Sequence, residues 1–302
     1  MSNKKLVSVI MATYNRSNII GYAIKTVINQ VYTDWELLVI GDHCTDDTGK
    51  VVNEFGDSRV TFFNLPENIG EQSGPNNFGL DQAKGDYIAF LNHDDLWFPD
   101  HLSSLVACIE ENNAGLVYAW WNPVSAGPHH FKPMMIDPDH NYTLQTFVPA
   151  SAWLFDKEII NKVGKWRSFK EIYDIPSQDW LKRVHLSKVP IKSTGHLTML
   201  AIQSGPRKNV YVNRDYVENA HWYERLENPD EVRVEILSRN LIYSARKDRA
   251  LLGHLKTFVW NLFKALLIQF NIRPTAAKYF FRFRGKGGFL NNLRNKRGLK
   301  RI

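Results

Sequence analysis

Residues Tyr87–Trp97 read YIAFLNHDDLW, an apolar run that stops at Asn92, His93, Asp94 and Asp95. Two adjacent carboxylates at the end of a buried strand are electrostatically expensive. Carboxylate oxygen is the donor that hard divalent cations prefer, so such a pair could hold an ion. The bland alternative is a cap for the helix that starts near Pro99, but one cap needs one carboxylate. A second acidic residue, Asp179 in Gln178-Asp179-Trp180, opens another helical pattern. It could do chemistry or simply favour the helix dipole.

These residues need elements to position them. Val7–Met11 is a β-branched run, followed by Ala12–Arg16; Ser17 can cap a helix carrying Ile20, Ala23, Ile24, Val27 and Ile28. Trp35–Ile40 is a second strand, ending in Asp42–Thr48 and a short helix with Val51, Val52 and Phe55. Val60–Asn64 is a third, followed by the glycine-containing loop Asn68–Gly74 and the helix Asn76–Ala83. Tyr87–Leu91 is the fourth. Strand–helix alternation of this kind predicts an α/β fold with a parallel, buried sheet. Ligands bind such sheets at the carboxyl ends of the strands, where the polar clusters at 13–16, 42–48, 68–73 and 92–95 all fall. Further on, Leu116–Trp121 and Ser151–Phe155 read as strands, and Lys157–Val163 and Gln178–Leu186 as helices. From Asn228 the pattern is helical, broken at Pro274 and at Gly285–Gly288.

Together, VSVIMATYNR, LLVIGDHCTDDT, ENIGEQSGPNNFGLDQAKGDYIAFLNHDD and SQDWLKRV resemble the inverting glycosyltransferases of family 2 over residues 5 to 200. The resemblance implies a GT-A fold, a nucleoside-diphosphate-sugar donor (UDP- or dTDP-sugar) and Mg²⁺ or Mn²⁺ as cofactor. It places the metal-binding aspartate at Asp94, with Asp95, Asn92 and His93 beside the donor. Thr13, Tyr14, Asn15 and Arg16 would line the base, Asp42 would hold base or ribose, and Asn68, Gly70 and Asn76 would form the third wall. Asp179 would be the general base that takes the acceptor hydroxyl's proton. The chain departs from the pattern at Asn92, where the family commonly has aspartate, at Asn76, where an arginine is frequent, and at Gln178, where an acid precedes the base. Arg207 or Lys208 could replace the missing cation. A later histidine often touches the metal, and His196 and His221 are the candidates here. Asp46 and Thr48 read as helix-start residues. Trp120, Trp121, Trp180, His129 and His130 fall on the acceptor side, without a metal-ligand spacing.

The net charge of +7 is unevenly distributed. Arg249–Ile302 holds 13 Lys or Arg and no acid, leaving 25 basic against 31 acidic residues elsewhere. With Leu255, Phe258, Val259, Leu262, Leu266 and Phe270 at helical spacing, this tail predicts an interfacial anchor on an anionic membrane surface. The alternative is a helical hairpin packed on the domain. Nucleic acid is not expected as a partner, because no binding module is present. Two cysteines, Cys44 and Cys108, make no disulfide framework and favour a reducing compartment. No run of about 18 apolar residues spans a membrane. The expected organisation is a GT-A domain over 1–227, with donor-side (1–115) and acceptor-side (116–227) halves, and a basic extension over 228–302. The expected activity is transfer of a sugar to a glycan or lipid-linked glycan acceptor, at the cytoplasmic face of the cell membrane. The competing expectation is a non-catalytic nucleotide-sugar or glycan-binding protein on the same fold. A nucleotidyltransferase would need a Gly-rich, basic loop after the first strand, which MATYNRSN lacks.

Overall fold

A computed structural model describes residues 4–125, 142–203, 207–214, 218–247 and 253–302. Its centre is an eight-stranded mixed sheet in the order β3-β2-β1-β4-β7-β6-β8-β5. The first half is the parallel array expected from the sequence: β1 (Val7–Thr13), β2 (Trp35–Gly41), β3 (Val60–Asn64) and β4 (Tyr87–Phe90). Helices α1 (Ile20–Ile28), α2 (Thr48–Asn53) and α3 (Ser73–Gln82) connect them. Alternation along each strand divides the core into two layers. Val9, Leu37, Val39 and Ala89 face α1, together with α4 (His101–Glu111). Ile10, Leu38, Ile40, Ile88 and Phe90 face α3, α5 (Ile159–Val163) and α6 (Pro176–Leu186). In that second layer Trp153 stacks on Trp180 with centroids 5.5 Å apart, so Trp180 is core rather than an acceptor platform.

The second half inverts the sheet. β7 (Trp153–Asp156) runs antiparallel to β4 and to β6 (Leu116–Val124). β8 (Ile191–Ile202) runs parallel to β6, and β5 (Leu96–Trp97) closes the edge against it. β8 and β5 have no counterpart in the sequence expectations. Ser17 does not cap α1; its hydroxyl donates to Asp46 at 2.8 Å, and α1 begins three residues later. Asp46 in turn accepts from the Thr48 N–H at 3.0 Å, as expected of helix-start residues. His129 and His130 lie outside the described residues.

After α7 (Val210–Asn213) and α8 (Glu218–Arg225), the chain continues as α9 (Pro229–Lys247), α10 (Gly253–Gln269), α11 (Pro274–Phe283) and α12 (Gly288–Lys296). The breaks fall at Pro274 and the glycine cluster, as read from the sequence. Trp222, Leu226, Val232 and Ile236 join Leu96, Phe98 and Leu200 in a third core. The α10–α11 junction is fixed by Arg273, 1% exposed. Its Nε donates to Asp174 at 2.8 Å, Nη1 to the Tyr142 hydroxyl at 2.9 Å and Nη2 to Gln178 Oε1 at 3.1 Å. Gln178, standing where the family pattern has an acid, therefore serves as the neutral acceptor of a buried guanidinium.

Removing one partner of a buried pair leaves an uncompensated charge, at a cost of roughly 3–5 kcal/mol. Arg273→Met is expected to lower the urea midpoint by a corresponding amount. Asp174→Asn together with Arg273→Met should recover part of that loss, since no lone charge then remains buried. A double variant no more stable than the single one would show that the pairing is not the source.

Candidate active site

The carboxyl ends of β1, β2 and β4 open into a cavity of about 630 Å³. Thr13, Tyr14, Asp42, Asn68, Gly70, Asn92, His93, Asp94 and Asp95 line it, so nine of the residues singled out in the sequence come together. Asn15, Arg16 and Asn76 do not line it. Asn15 bridges loops, accepting from Thr45 N at 2.8 Å and donating to Thr45 Oγ1 at 3.2 Å. Arg16 is 1% exposed beneath the ring of Tyr211, with its Cζ 3.1 Å from the centroid. Asn76 is buried in α3.

Asp95 is the better-buried member of the acidic pair, at 4% exposure. Its Oδ2 accepts from Ser151 Oγ at 2.6 Å and from Asn92 Nδ2 at 2.7 Å; its Oδ1 accepts from Ile202 N at 3.2 Å. Burial, and then the charge of Asp94, push its pKa well above the usual carboxylate range. Asn92 thus has a use at its position. Its amide donates to Asp95, whereas a second ionised aspartate there would repel it. Gln72 Nε2 completes the relay by donating to Asn92 Oδ1 at 2.8 Å.

Asp94 differs in kind. Its carbonyl accepts from Asn219 Nδ2 at 2.9 Å, but among the described residues its carboxylate has no hydrogen-bond or ion-pair partner. It is half-buried on the cavity wall. A free carboxylate there suits a Mg²⁺ or Mn²⁺ ion that takes its other oxygens from water and substrate phosphate. It does not make a closed protein cage, since no cluster of three His, Cys, Asp or Glu at ligating distance occurs among the described residues. His93 is buried, its Nδ1 3.2 Å from the Ala12 carbonyl; desolvation lowers its pKa to about 4. His196 and His221 are exposed and off the cavity.

Asp42 organises the opposite wall. Its Oδ1 accepts from Ile69 N at 2.7 Å, and its Oδ2 from Gly70 N at 2.7 Å and Asn68 Nδ2 at 3.1 Å. Gly70 holds φ +81°, a left-handed conformation natural to glycine. The carboxylate expected to hold base or ribose is therefore occupied in shaping the 68–70 loop. Its burial raises its pKa against the lowering effect of those N–H groups.

Asp179 lies outside the lining. Its Oδ2 accepts from Arg183 Nε at 3.1 Å, and Arg167 is 3.9 Å from Oδ1. The residues of the α6 start that face the cavity are Pro176 and Ser177. Trp121 lines it, edge-on to Phe147, and Arg207 lines it while paired to Glu218; Lys208 does not. The sequence reading missed Tyr211 and, above all, α12, whose Leu290, Leu293, Arg294 and Arg297 form one helical face over the cavity. A signal was present in that spacing, but it is the same one that marks a lipid-facing helix.

Residues 8–164 match the family model "Glycosyl transferase family 2". The chain belongs to glycosyl transferase family 2. Among curated relatives, WfgD of Escherichia coli, a UDP-Glc:alpha-D-GlcNAc-diphosphoundecaprenol beta-1,3-glucosyltransferase, is 38% identical over 113 residues, covering 37% of this chain and 44% of that protein. TarP of Staphylococcus aureus, a poly(ribitol-phosphate) beta-N-acetylglucosaminyltransferase, is 38% identical over 117 residues, 37% of this chain and 36% of its own. A Campylobacter jejuni GalNAc(5)-diNAcBac-PP-undecaprenol beta-1,3-glucosyltransferase is 38% identical over 120 residues, 38% of this chain and 37% of that protein. Each match spans less than half of the relative's length. Residues 1–349 of S. aureus TarS superpose with a TM-score of 0.57 at 18% identity, over 97% of this chain and 91% of that one. The TarS complex with UDP-GlcNAc gives 0.57 at 22% identity, over 73% and 64%. The family 2 chain thus has the GT-A fold expected from its loops.

Ser151→Ala would strip one donor from a buried carboxylate and one acceptor from the Asn92 N–H, which reaches Ser151 Oγ at 3.0 Å. A loss of about 1–3 kcal/mol in unfolding free energy is expected. Denaturant titration at pH 7 measures it, and no change would mean that Asp95 does not need this hydroxyl.

Proposed function

We propose that the protein is an inverting, metal-assisted glycosyltransferase. It moves a sugar from a nucleoside-diphosphate-sugar, UDP- or dTDP-linked, to a hydroxyl of a lipid-linked glycan. The observation that carries this reading is the free carboxylate of Asp94 on a cavity wall whose other carboxylates are tied up or differently placed. A departing diphosphate accumulates negative charge, and a divalent ion held by Asp94 would neutralise it as a Lewis acid. Thr13, Tyr14 and the Asp42-shaped loop would hold the nucleoside. The printed activities of WfgD and the C. jejuni relative, on diphosphoundecaprenol-linked sugars, support a lipid-linked acceptor.

Asp179 is the base in this reading, on the sequence argument. To take the acceptor proton, its carboxylate has to leave Arg183 and reach past Ser177. The place of Asp179 outside the cavity lining favours a second reading, in which the chain binds a nucleotide sugar without turnover. Nucleoside diphosphate release from a panel of nucleotide sugars, with and without Mn²⁺, separates the two. Asp179→Asn is expected to lower kcat by about 10²–10⁴-fold while donor KM changes little; an unchanged kcat would make Asp179 only an anchor for Arg183. Asp94→Ala should weaken Mn²⁺-dependent donor binding by tenfold or more, about 1.4 kcal/mol. Equal affinity with and without the carboxylate would remove it from the metal.

The tail's outer side fits an anionic membrane surface. Leu262, Leu266, Phe270 and Phe281 are more than half exposed, with Lys264, Lys278 and Arg282 among them. No helix among the described residues is long and apolar enough to cross a membrane. In this reading the protein binds peripherally at the inner face of the membrane, where lipid-linked acceptors would be met. Leu262→Glu, Leu266→Glu and Phe281→Glu together should abolish co-sedimentation with phosphatidylglycerol vesicles; undiminished binding would refute the anchor.

A further inference from the structure

The structure assigns the basic face of α12, Arg294 and Arg297 above all, to the diphosphate of the donor. This inference rests on the proposed reading of the cavity as a nucleoside-diphosphate-sugar site and names residues for a part of it that the parallel half of the sheet leaves unfilled.

Four cations line the cavity among the described residues: Arg207, Arg294, Lys296 and Arg297. Arg207 is paired with the buried Glu218. The other three come from the end of α12, and none has a carboxylate within 4 Å among the described residues. The helix α3, on the other side of the loop that ends in Gly70, supplies no cation: Asn76 is buried away from the cavity. Arg294 and Arg297 are half-buried. A half-buried guanidinium with no carboxylate at ion-pairing distance loses hydration without gaining an ion pair. Arg294 feels the charge of Asp42, but burial outweighs it and lowers its pKa, and a ligand that brings an anion into contact relieves that imbalance. Guanidinium matches phosphate oxygen in a bidentate fork, which suits a diphosphate better than a monoanion.

The placement of α12 is built rather than incidental. Gly287, at φ +70°, sits so close to Phe169 that a Cβ would come within 2.5 Å of the ring, and its N–H donates to the Ile172 carbonyl at 3.1 Å. At the far end, Asn209 N donates to the Lys296 carbonyl at 2.9 Å and Tyr211 N to the Arg297 carbonyl at 3.2 Å. Arg294 Nη1 donates to the Gly70 carbonyl and its Nε to the Lys300 carbonyl at 2.8 Å. The helix is therefore held at both ends by main-chain bonds, which leaves the Arg297 side chain, over the Tyr211 ring with its Cζ 5.7 Å from the centroid, directed by the fold rather than by an ion pair. Leu290 and Leu293 on the same face would exclude water around the phosphates, and that strengthens each charge–charge contact.

Calorimetry with UDP, dTDP, GDP and ADP on the full chain tests the site first. Wild type with no affinity for any of them overturns the donor-site reading and this assignment with it. For the diphosphate that binds, Arg297→Gln and Arg294→Gln are each expected to weaken affinity tenfold or more. The matching nucleoside, followed by ligand-observed NMR, should bind within twofold of wild type. Arg297→Lys should restore part of the loss. Arg297→Gln is the more secure variant, because its anchoring bond is made by the main chain. Equal weakening of diphosphate and nucleoside would mean that α12 only roofs the cavity; so would unchanged diphosphate affinity in both variants. Either result overturns the assignment.

Discussion

The buried carboxylate of Asp95 is the constraint on which the site depends. It joins three stretches far apart in sequence: the end of β4 through Asn92, the start of β7 through Ser151, and the end of β8 through Ile202. A carboxyl group that deep is tolerated only with full hydrogen-bonding, so these three ends have little freedom to separate. The inverted half of the sheet is thereby held in register with the parallel half. The consequence for chemistry falls on the neighbouring residue. With Asp95 saturated, Asp94 is left as the carboxylate of the pair that can meet a ligand. The expense of adjacent acids at a strand end is divided between one residue that fastens and one that stays available.

Asp42 repeats the arrangement on the other wall. Its two oxygens collect the N–H groups of Ile69 and Gly70 and the amide of Asn68, so a flexible segment becomes a fixed one. In both places an acid on the cavity wall also holds the backbone around it. The cavity lining thus combines the carboxylates of Asp42, Asp94 and Asp95 with the guanidinium groups of Arg294 and Arg297.

The parallel half was legible because its strands are apolar on both faces and its helices repeat every three to four residues. Those patterns report burial, and burial is what places 13–14, 42, 68–70 and 92–95 at one edge. β8 was not legible, because Lys192, Ser193, Thr194 and Gly195 break its first half, and its pairing with β6 shifts register around Trp120. Asn15, Arg16 and Asn76 lie next to cavity residues in sequence but one step behind them in space, a difference that no spacing rule resolves. For Asp179 the helix start was legible, but not its place outside the cavity lining beside Arg183. An i,i+4 arginine, Arg183, was visible in the sequence as a competing partner for it.

The tail shows most clearly where periodicity stops being informative. An amphipathic helix with interspersed cations reads the same whether its apolar side meets lipid or protein. The two fates are distributed along one chain here. α10 and α11 expose Leu262, Leu266 and Phe281, while Arg273 between them is sunk among Asp174, Tyr142 and Gln178 and α12 lines the cavity. The discriminating feature is the arginine that anchors α11. Its partners are Tyr142, Asp174 just before α6 and Gln178 on α6 itself, so the outer face is joined through this arginine to the residues that border the cavity. Removing the tail as a unit would therefore delete part of the cavity along with any surface anchor. Only substitutions confined to the outer face can tell localisation from binding.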